Sequence, residues 1–345
     1  MTPHIGHGHT SAKIILFGEH SVVYGYPAIA MPLHSLRMTA QAERVDDGAS
    51  GPVAGGPGSS VVGGSAAGAM SVMEPAAQST LTSLGWSGPM REAPAHFGSV
   101  LRAVDVALDF VGHPGARIHI TTASDFPQQR GLGSSAAAAG AVIRAILDAY
   151  DVSASPEQLF DLTQEAERIA HGRPSGLDAV TTSADSPVHF EAGVTTKLDL
   201  DLAAWIVIAD SGIEGSTRET VGNVRAMYET SPDTTRPRLD RLGAITEEAI
   251  EGLRTRDIEG LGALMTEAHG LLGELGVSIS KLDRLVSAAL EAGAVGGKLT
   301  GGGGGGCVIA LARSGEDARR IEDAMVAAGA HAAWTHAPLA RGVLA

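Results

Sequence analysis

The segment GLGSS, from Gly131 to Ser135, has the composition of an anion-binding loop at the start of a helix. The residues that follow, 135–150, are apolar on almost every side, which predicts a buried helix. The first N–H groups of a helix have no partner within it, and the helix dipole adds partial positive charge there. Glycines would let the backbone close on a phosphate, and two hydroxyls would add donors or a metal ligand. A tight turn with a serine cap is the structural alternative, and both interpretations stay open here.

The commoner phosphate-binding and nucleophile motifs do not fit this chain. GAVGGKLT resembles a Walker A loop, but only three residues separate Gly293 from the Gly-Lys pair, and Leu299 replaces the required serine or threonine. In GHGHTS, Ser11 replaces the third glycine of a dinucleotide-binding loop. The serines of GLGSS have no G-x-S-x-G elbow around them, which argues against an α/β-hydrolase.

Glu167 lies inside the apolar arc of a predicted helix. At 100° per residue from Leu159, it falls between Thr163 and Phe160. Burying an unpaired carboxylate is costly, so an inward glutamate needs a partner. A position at the rim or a structural salt bridge is one explanation. Another is a Mg²⁺ site, because this hard cation suits a carboxylate beside a serine hydroxyl and phosphate oxygens.

Lys13 and Asp178 are two further charged residues in unusual settings. Lys13 stands in an otherwise apolar strand, and Asp178 follows a turn in PSGLDAV. A strand lysine usually extends its charge to solvent, and an aspartate after a turn is usually a helix cap. Buried lysine–aspartate pairs also occur at active sites. The sequence alone does not bring these two residues together.

A run of six glycines at 301–306 follows Lys298-Leu299-Thr300 and leads directly into the apolar segment CVIAL. Such a run is costly to order because glycine loses more backbone freedom on folding than other residues. A flexible linker would have polar flanks, which this run lacks. One or two glycines would suit a strained turn before a strand, but six indicate a close approach of bare backbone to something else.

Strands mixed with helices predict either an α/β or an α+β fold. Ser155, Pro156 and Gln158 predict a capped helix that ends near residue 170. Two buried strands are expected within 12–33, around a turn at 18–20. Further helices are predicted near 94–112, 238–255, 257–273, 278–292 and 315–328. Further strands are predicted at 117–122, 187–199 and 307–312, around AAWIVIADSG and at the C-terminal end.

The chain has 345 residues, which suggests about two domains, and we place them at 1–200 and 201–345. Residues 46–80 are rich in Gly, Ala and Ser, which predicts a flexible insertion in the first domain. A net charge of −14 argues against nucleic acid or an anionic membrane as the main partner. The single cysteine, the absence of a signal-peptide pattern at MTPHIGHGHT and the absence of a long apolar run lead us to expect a cytoplasmic protein.

Three motifs together resemble the GHMP small-molecule kinases. They are K-x-I-L-F-G-E-H-x-V-V-Y-G from Lys13, P-x-x-x-G-L-G-S-S-A-A from Pro127 and K-L-T-G-x-G-G-G-G-C from Lys298. Within that superfamily, GEHSVVYG and HGRPSGLDAV resemble the mevalonate kinase family. The resemblance covers most of the chain but not about 46–80.

The resemblance implies the α+β class and a two-domain GHMP kinase fold, with a ribosomal S5 domain 2-like N-terminal domain and a ferredoxin-like C-terminal domain. It implies an ATP- and Mg²⁺-dependent kinase that phosphorylates the primary hydroxyl of mevalonate in isoprenoid biosynthesis. By motif position, Asp178 and Lys13 are the catalytic residues, and Ser135 and Glu167 bind the metal. The residues matched to ATP are Gly131, Leu132, Gly133, Ser134, Ser135 and Ala136, and those matched to mevalonate are Glu19, His20, Thr217 and Gly303.

Three alternatives remain from the sequence. The chain could be another GHMP kinase such as a phosphomevalonate kinase, or a non-catalytic ATP-binding protein on the same fold. A metal-binding protein using His4, His7 and His9 is the third. Arg130 departs from the small residues usual before GLGSS, and we expect it to reach solvent or a phosphate. The oligomeric state is open, and a homodimer is compatible with the sequence.

Overall fold

The computed structural model describes residues 4–45, 78–171, 175–198 and 202–338 of the chain. The predicted insertion at 46–80 falls largely outside this part, and so does the predicted domain boundary at 200. The described residues form two β-sheets, one built from residues 5–197 and the other from residues 205–336, each with helices packed on it.

The first sheet has the strand order β4-β3-β5-β2-β6-β7, with β1 paired to β2. All of its pairs are antiparallel except β3 with β5. Its strands are β1 Ile5–Phe17, β2 Ala28–Arg44, β3 Thr80–Ser83, β4 Trp86–Pro89, β5 Ile118–Ser124, β6 Val188–Glu191 and β7 Val194–Lys197. The first half of β1 alternates between exposed and buried residues, whereas its second half is buried throughout. The chain therefore leaves this strand deep inside the molecule, where it meets the second sheet.

Four helices of this first part are α1 Gly98–Phe110, α2 Ser134–Ala149, α3 Pro156–His171 and α4 Leu177–Thr181. The alanine-rich α2 is buried on nearly all sides, as its composition predicts. Gly6 and Gly8 of β1 lie against its backbone, where an added Cβ would overlap the α2 carbonyls. Small residues on both elements thus let the helix lie unusually close to the strand and fix the position of its N-terminus.

The second sheet is antiparallel with the order β11-β8-β10-β9. Its strands are β8 Trp205–Asp210, β9 Gly296–Thr300, β10 Cys307–Ala312 and β11 Ala332–His336. Its helices are α5 Thr217–Thr230, α6 Pro232–Thr255, α7 Ile258–Glu274, α8 Ser280–Glu291 and α9 Gly315–Ala327. One strand, helices, two strands, a helix and a strand in this order make the ferredoxin-like arrangement that we expected.

The α+β class and most of the predicted elements are confirmed. The capping box at α3 is formed, because Gln158 N–H donates to Ser155 Oγ at 3.2 Å and Ser155 N–H donates to Gln158 Oε1 at 2.8 Å. The missed elements include the β3–β4 hairpin, α4, α5 and β9. Helix α6 also begins at Pro232, earlier than predicted. Among the described residues, no helix is both long enough and apolar enough to cross a membrane.

Candidate active site

The GLGSS segment forms a loop that opens onto α2. Gly131 and Gly133 have φ angles of 79° and 73°, in the left-handed region that favours glycine. Gly133 is the N-cap residue, and no side chain caps the N–H groups of the first turn. This helix start therefore keeps backbone donors and partial positive charge available for an anion, which the alternative of a serine-capped turn would not.

Ser135, in the first turn of α2, contacts the inward carboxylate of α3. Its Oγ donates to Glu167 Oε1 at 2.6 Å, and Ser99 Oγ lies 3.1 Å from the same hydroxyl. Glu167 is only 2% exposed, so the prediction that it faces inward is confirmed. A carboxylate and a hydroxyl side by side at an anion-binding loop are hard oxygen donors, and such a set fits Mg²⁺ better than a soft metal.

Lys13 and Asp178 form an ion pair beside this loop. Lys13 Nζ lies 2.8 Å from Asp178 Oδ1, with side-chain exposures of 3% and 42%. The Lys13 N–H also donates to the Leu132 carbonyl at 3.0 Å, which ties β1 to the loop. A Cβ at Gly133 would lie 2.8 Å from Lys13 Cγ, so glycine is needed there. The result is a buried ammonium that holds a solvent-accessible carboxylate at the mouth of the loop.

The glycine run packs against the same loop. A Cβ at Gly131 would lie 2.8 Å from the Thr300 carbonyl, and one at Gly301 would lie 2.9 Å from Gly131 Cα. At the other end of the run, a Cβ at Gly306 would lie 2.8 Å from the Arg130 carbonyl. Two glycine segments far apart in the chain therefore cross with almost no side chain between them, as the length of the run indicates.

His20 and Thr217 meet at the middle of this run. His20 Nε2 donates to the Gly302 carbonyl at 2.9 Å, since a carbonyl oxygen can only accept. Burial lowers the pKa of His20, and this hydrogen bond opposes the shift. A Cβ at Gly302 would lie 2.7 Å from Thr217 Oγ1, so α5 begins directly against the glycines. Gly303 follows with φ of 76° and packs on the backbone of Val277.

Comparison with known proteins agrees with this arrangement. The family model for the GHMP kinases N terminal domain matches residues 98–185, and that for GHMP kinases C terminal matches residues 249–331. The mevalonate kinase of Thermococcus onnurineus is 35% identical over 309 residues, which cover 87% of this chain and 87% of that protein. The mevalonate kinase of Pyrococcus abyssi has the same identity and the same coverage.

This chain belongs to the mevalonate kinase family. A crystal structure of the Methanococcus jannaschii mevalonate kinase matches with a TM-score of 0.78 over 97% of this chain and 98% of that chain, at 24% identity. At that identity the match shows a shared fold, which covers both sheets. The resemblance to GHMP kinases and the two-domain fold expected from it are confirmed.

Glu19, which precedes His20 in the chain, pairs with a lysine of β9. Its carboxylate forms a closed ion pair with Lys298 Nζ, and the two side chains are 2% and 0% exposed. Lys298 Nζ also donates to the Leu299 carbonyl at 2.8 Å. Burial raises the pKa of Glu19 and lowers that of Lys298, and the attraction between the two charges opposes both shifts. The Glu19 carboxylate thus faces Lys298, whereas Asp178 presents its carboxylate to solvent.

The sequence reasoning overlooked Lys298 as a partner of Glu19. The sequence contained a signal for this pair, because Lys298 lies in a short apolar segment much as Lys13 does. The strand β9 that carries Lys298 was nevertheless not predicted. Thr300 was also missed. It exchanges hydrogen bonds with Ile15 of β1, with Ile15 N–H donating to Thr300 Oγ1 at 3.0 Å and Thr300 Oγ1 donating back to the Ile15 carbonyl at 3.1 Å. Residues of β9 thereby join the two sheets directly behind the site.

Arg130 is placed differently from what we expected, because its side chain is only 13% exposed and its Nε lies 3.0 Å from Asp210 Oδ1 in the second sheet. The alternative of a metal site at His4, His7 and His9 finds no support, since the described residues contain no cluster of three metal-binding side chains. His7 and His9 instead lie exposed on β1, opposite Gln41 and Thr39 of β2.

Proposed function

We propose that this protein transfers the γ-phosphoryl group of ATP to the primary hydroxyl of mevalonate, giving 5-phosphomevalonate and ADP. One observation carries the proposal: the Lys13–Asp178 ion pair lies at the uncapped start of α2, beside the paired side chains of Ser135 and Glu167. Membership of the mevalonate kinase family supports the choice of substrate.

The loop from Gly131 to Ala136 would bind the ATP phosphates through backbone N–H groups. Its left-handed glycines and the free first turn of α2 support this role. Ser135 and Glu167 would hold Mg²⁺, which when bound neutralises charge on the phosphate oxygens. Phosphoryl transfer depends chiefly on positioning and charge neutralisation, and a fixed helix N-terminus supplies both without rearrangement.

Asp178 would accept the proton of the attacking hydroxyl. Its carboxylate is accessible, while the buried Lys13 ammonium at 2.8 Å holds it in place. Lys13 would also stabilise negative charge on the reacting oxygens, because it lies between Asp178 and the loop. The hydroxyl would therefore lose its proton and attack the γ-phosphorus in one fixed geometry.

Mevalonate would bind beside the glycine run, near His20, Thr217 and Gly303. The contacts of His20 and Thr217 with Gly302 support a common subsite for these residues. Glu19 would act there indirectly, because its closed pair with Lys298 holds the segment that carries His20. We keep direct contact between Glu19 and mevalonate as a prediction that a complex structure would test.

A substrate panel tests the proposed function. Purified protein with ATP and Mg²⁺ is assayed for ADP release with mevalonate, 5-phosphomevalonate, galactose and homoserine. We expect turnover with mevalonate and little with the other three. Preferred turnover of 5-phosphomevalonate would establish the rival kinase, and no turnover despite ATP binding would favour a non-catalytic protein. The cytoplasmic location and the homodimer remain predictions, which cell fractionation and light scattering would check.

A further inference from the structure

We propose that Arg130 is a positioning residue that holds the phosphate-binding loop against the second sheet through its ion pair with Asp210. The inference rests on the proposed function of the loop, but none of the roles assigned above involves Arg130 or Asp210. We therefore expect the loss of this pair to weaken ATP binding while leaving the mevalonate subsite unchanged.

Arg130 immediately precedes the first glycine of the loop, so any movement of its backbone moves the loop. Its guanidinium Nε lies 3.0 Å from Asp210 Oδ1, an ion pair that lacks hydrogen-bond geometry, and Nη2 donates to the Gly212 carbonyl at 3.4 Å. Glu214 Oε1 lies 3.9 Å from Nη1, at the exposed side of the contact. The guanidinium is therefore held by groups of one short segment, at and after the end of β8.

Asp210 is a rigid anchor. It is the last residue of β8, is fully buried and pairs in register with Cys307 of β10 and Ala332 of β11. Its Oδ1 also accepts the Gly212 N–H at 2.9 Å. Its Oδ2 has no hydrogen-bond partner among the described residues. If Arg130 were lost, the buried Asp210 carboxylate would lose the cation beside it, which is energetically costly.

Backbone hydrogen bonds connect the same two segments as the ion pair does. The Gly215 N–H donates to the Gln129 carbonyl at 3.3 Å, on the residue before Arg130. The Ser211 N–H donates to the Gly306 carbonyl at 2.9 Å, and Gly306 packs on the Arg130 carbonyl. The ion pair thus closes a small network that joins the loop, the end of β8 and the end of the glycine run.

Most of the contacts assigned to mevalonate lie at another part of the run. His20 and Thr217 contact Gly302, whereas the Arg130 carbonyl packs on Gly306. The two regions meet where Gly215 of the network packs on the Gly303 carbonyl. Loss of the pair should therefore displace the N–H groups of the loop more than the groups around His20. Small displacements of positioned groups are enough to cost on the order of tenfold or more in binding or rate.

Steady-state kinetics of Arg130→Met, Arg130→Lys and Asp210→Asn test the proposal. We expect Arg130→Met and Asp210→Asn to raise KM for ATP by about tenfold, with KM for mevalonate within about twofold of the parent. Arg130→Lys keeps the charge and should recover part of the loss. Arg313→Met removes an exposed arginine paired with Glu259 and serves as the matched control, with both KM values unchanged.

The double variant Arg130→Met/Asp210→Asn shows whether the two residues act as a pair. We expect its KM for ATP to match that of either single variant, because the second change removes nothing that remains. Additive effects would overturn the proposal. So would an unchanged KM for ATP in folded variants, or an equal rise in both KM values, since a general misalignment of the sheets would cause the latter.

Direct binding of a non-hydrolysable ATP analogue, measured by calorimetry, separates this proposal from the proposed function. If the parent protein does not phosphorylate mevalonate, analogue affinity still reports on the loop, and the same tenfold loss is expected. Cys307 provides a second readout, because it is fully buried and lies beside Asp210. Faster labelling of its thiol in Arg130→Met, slowed again by the analogue, would support a loop that has come away from β8. Parent-like affinity and labelling in both Arg130→Met and Asp210→Asn would overturn the proposal.

Discussion

Two lysine–carboxylate pairs lie near the junction of the two sheets, and they differ in one respect. In the Lys13–Asp178 pair the lysine is buried but the carboxylate is 42% exposed. In the Lys298–Glu19 pair both side chains are buried. An accessible carboxylate can contact a substrate without rearrangement, whereas the enclosed pair joins elements of the two sheets. The exposure of the carboxylate, more than the presence of the pair, therefore separates a reactive group from a structural one.

The largest effect is expected at Asp178, the accessible carboxylate of the first pair. We expect Asp178→Asn to lower kcat by about 10³-fold or more, because the amide cannot accept the hydroxyl proton. The affinity for ATP should stay close to that of the parent, whereas the melting temperature should fall, because the variant leaves the buried Lys13 ammonium without its counter-charge. The coupled assay measures kcat, calorimetric titration measures ATP affinity, and thermal unfolding measures the melting temperature. A variant with near-normal turnover would remove Asp178 from the mechanism.

The enclosed pair should affect mainly stability. We expect Lys298→Met to destabilise the fold by about 3–5 kcal/mol, because it leaves the Glu19 carboxylate buried without its cation. Chemical denaturation measures this loss. The double variant Lys298→Met/Glu19→Gln is the matched control and should recover most of the stability, since no buried charge remains. If Lys298→Met is as stable as the parent, the pair does not join the sheets in the way described.

Glu167 is a third carboxylate, as buried as Glu19, but it contacts a hydroxyl at the phosphate-binding loop. We expect Glu167→Gln to raise the Mg²⁺ concentration for half-maximal activity by about tenfold or more, since a neutral amide is a weaker ligand for a hard cation. A Mg²⁺ titration at saturating ATP checks this. Glu165→Gln on the same helix is the control, because its carboxylate pairs with Arg102 on the surface. Identical titrations for both variants would rule out the metal role.

The smallest expected effect concerns His336, a buried histidine of β11. Burial lowers the pKa of His336 below its usual 6.5, and nearby His34 adds to the shift. The unfolded chain therefore binds a proton at this residue more readily than the folded protein does, so the contribution of His336 to stability is fully present above about pH 6.5 and is lost as the pH drops. We expect His336→Gln to make the melting temperature less dependent on pH between 7.5 and 5.5. His9→Gln, an exposed position, should leave the slope unchanged.

Local sequence was enough for much of this molecule. The alanine-rich helix α2, the capping box of α3 and the inward position of Glu167 each follow from residues close together in the chain. The family followed from the resemblance of three sequence motifs to those of the GHMP kinases. Helix α5 was missed because its segment, TRETVGNVRAMYET, is largely polar and exposed, so its apolar periodicity is weak. Strand β9 was missed because GGKLT has little strand propensity of its own.

The kinds of element, the family and the residue types available for chemistry could be predicted from the sequence, since they depend on local propensity, periodicity and motif. Which charges meet depends on how the two sheets pack. Lys298 and Glu19 are 279 positions apart, and Arg130 pairs with Asp210 of the other sheet. The physical reason is that the energy of a charge depends on how far its surroundings exclude water and which counter-charge they bring within a few ångströms. Packing of the two sheets sets both, and no stretch of local sequence carries that information.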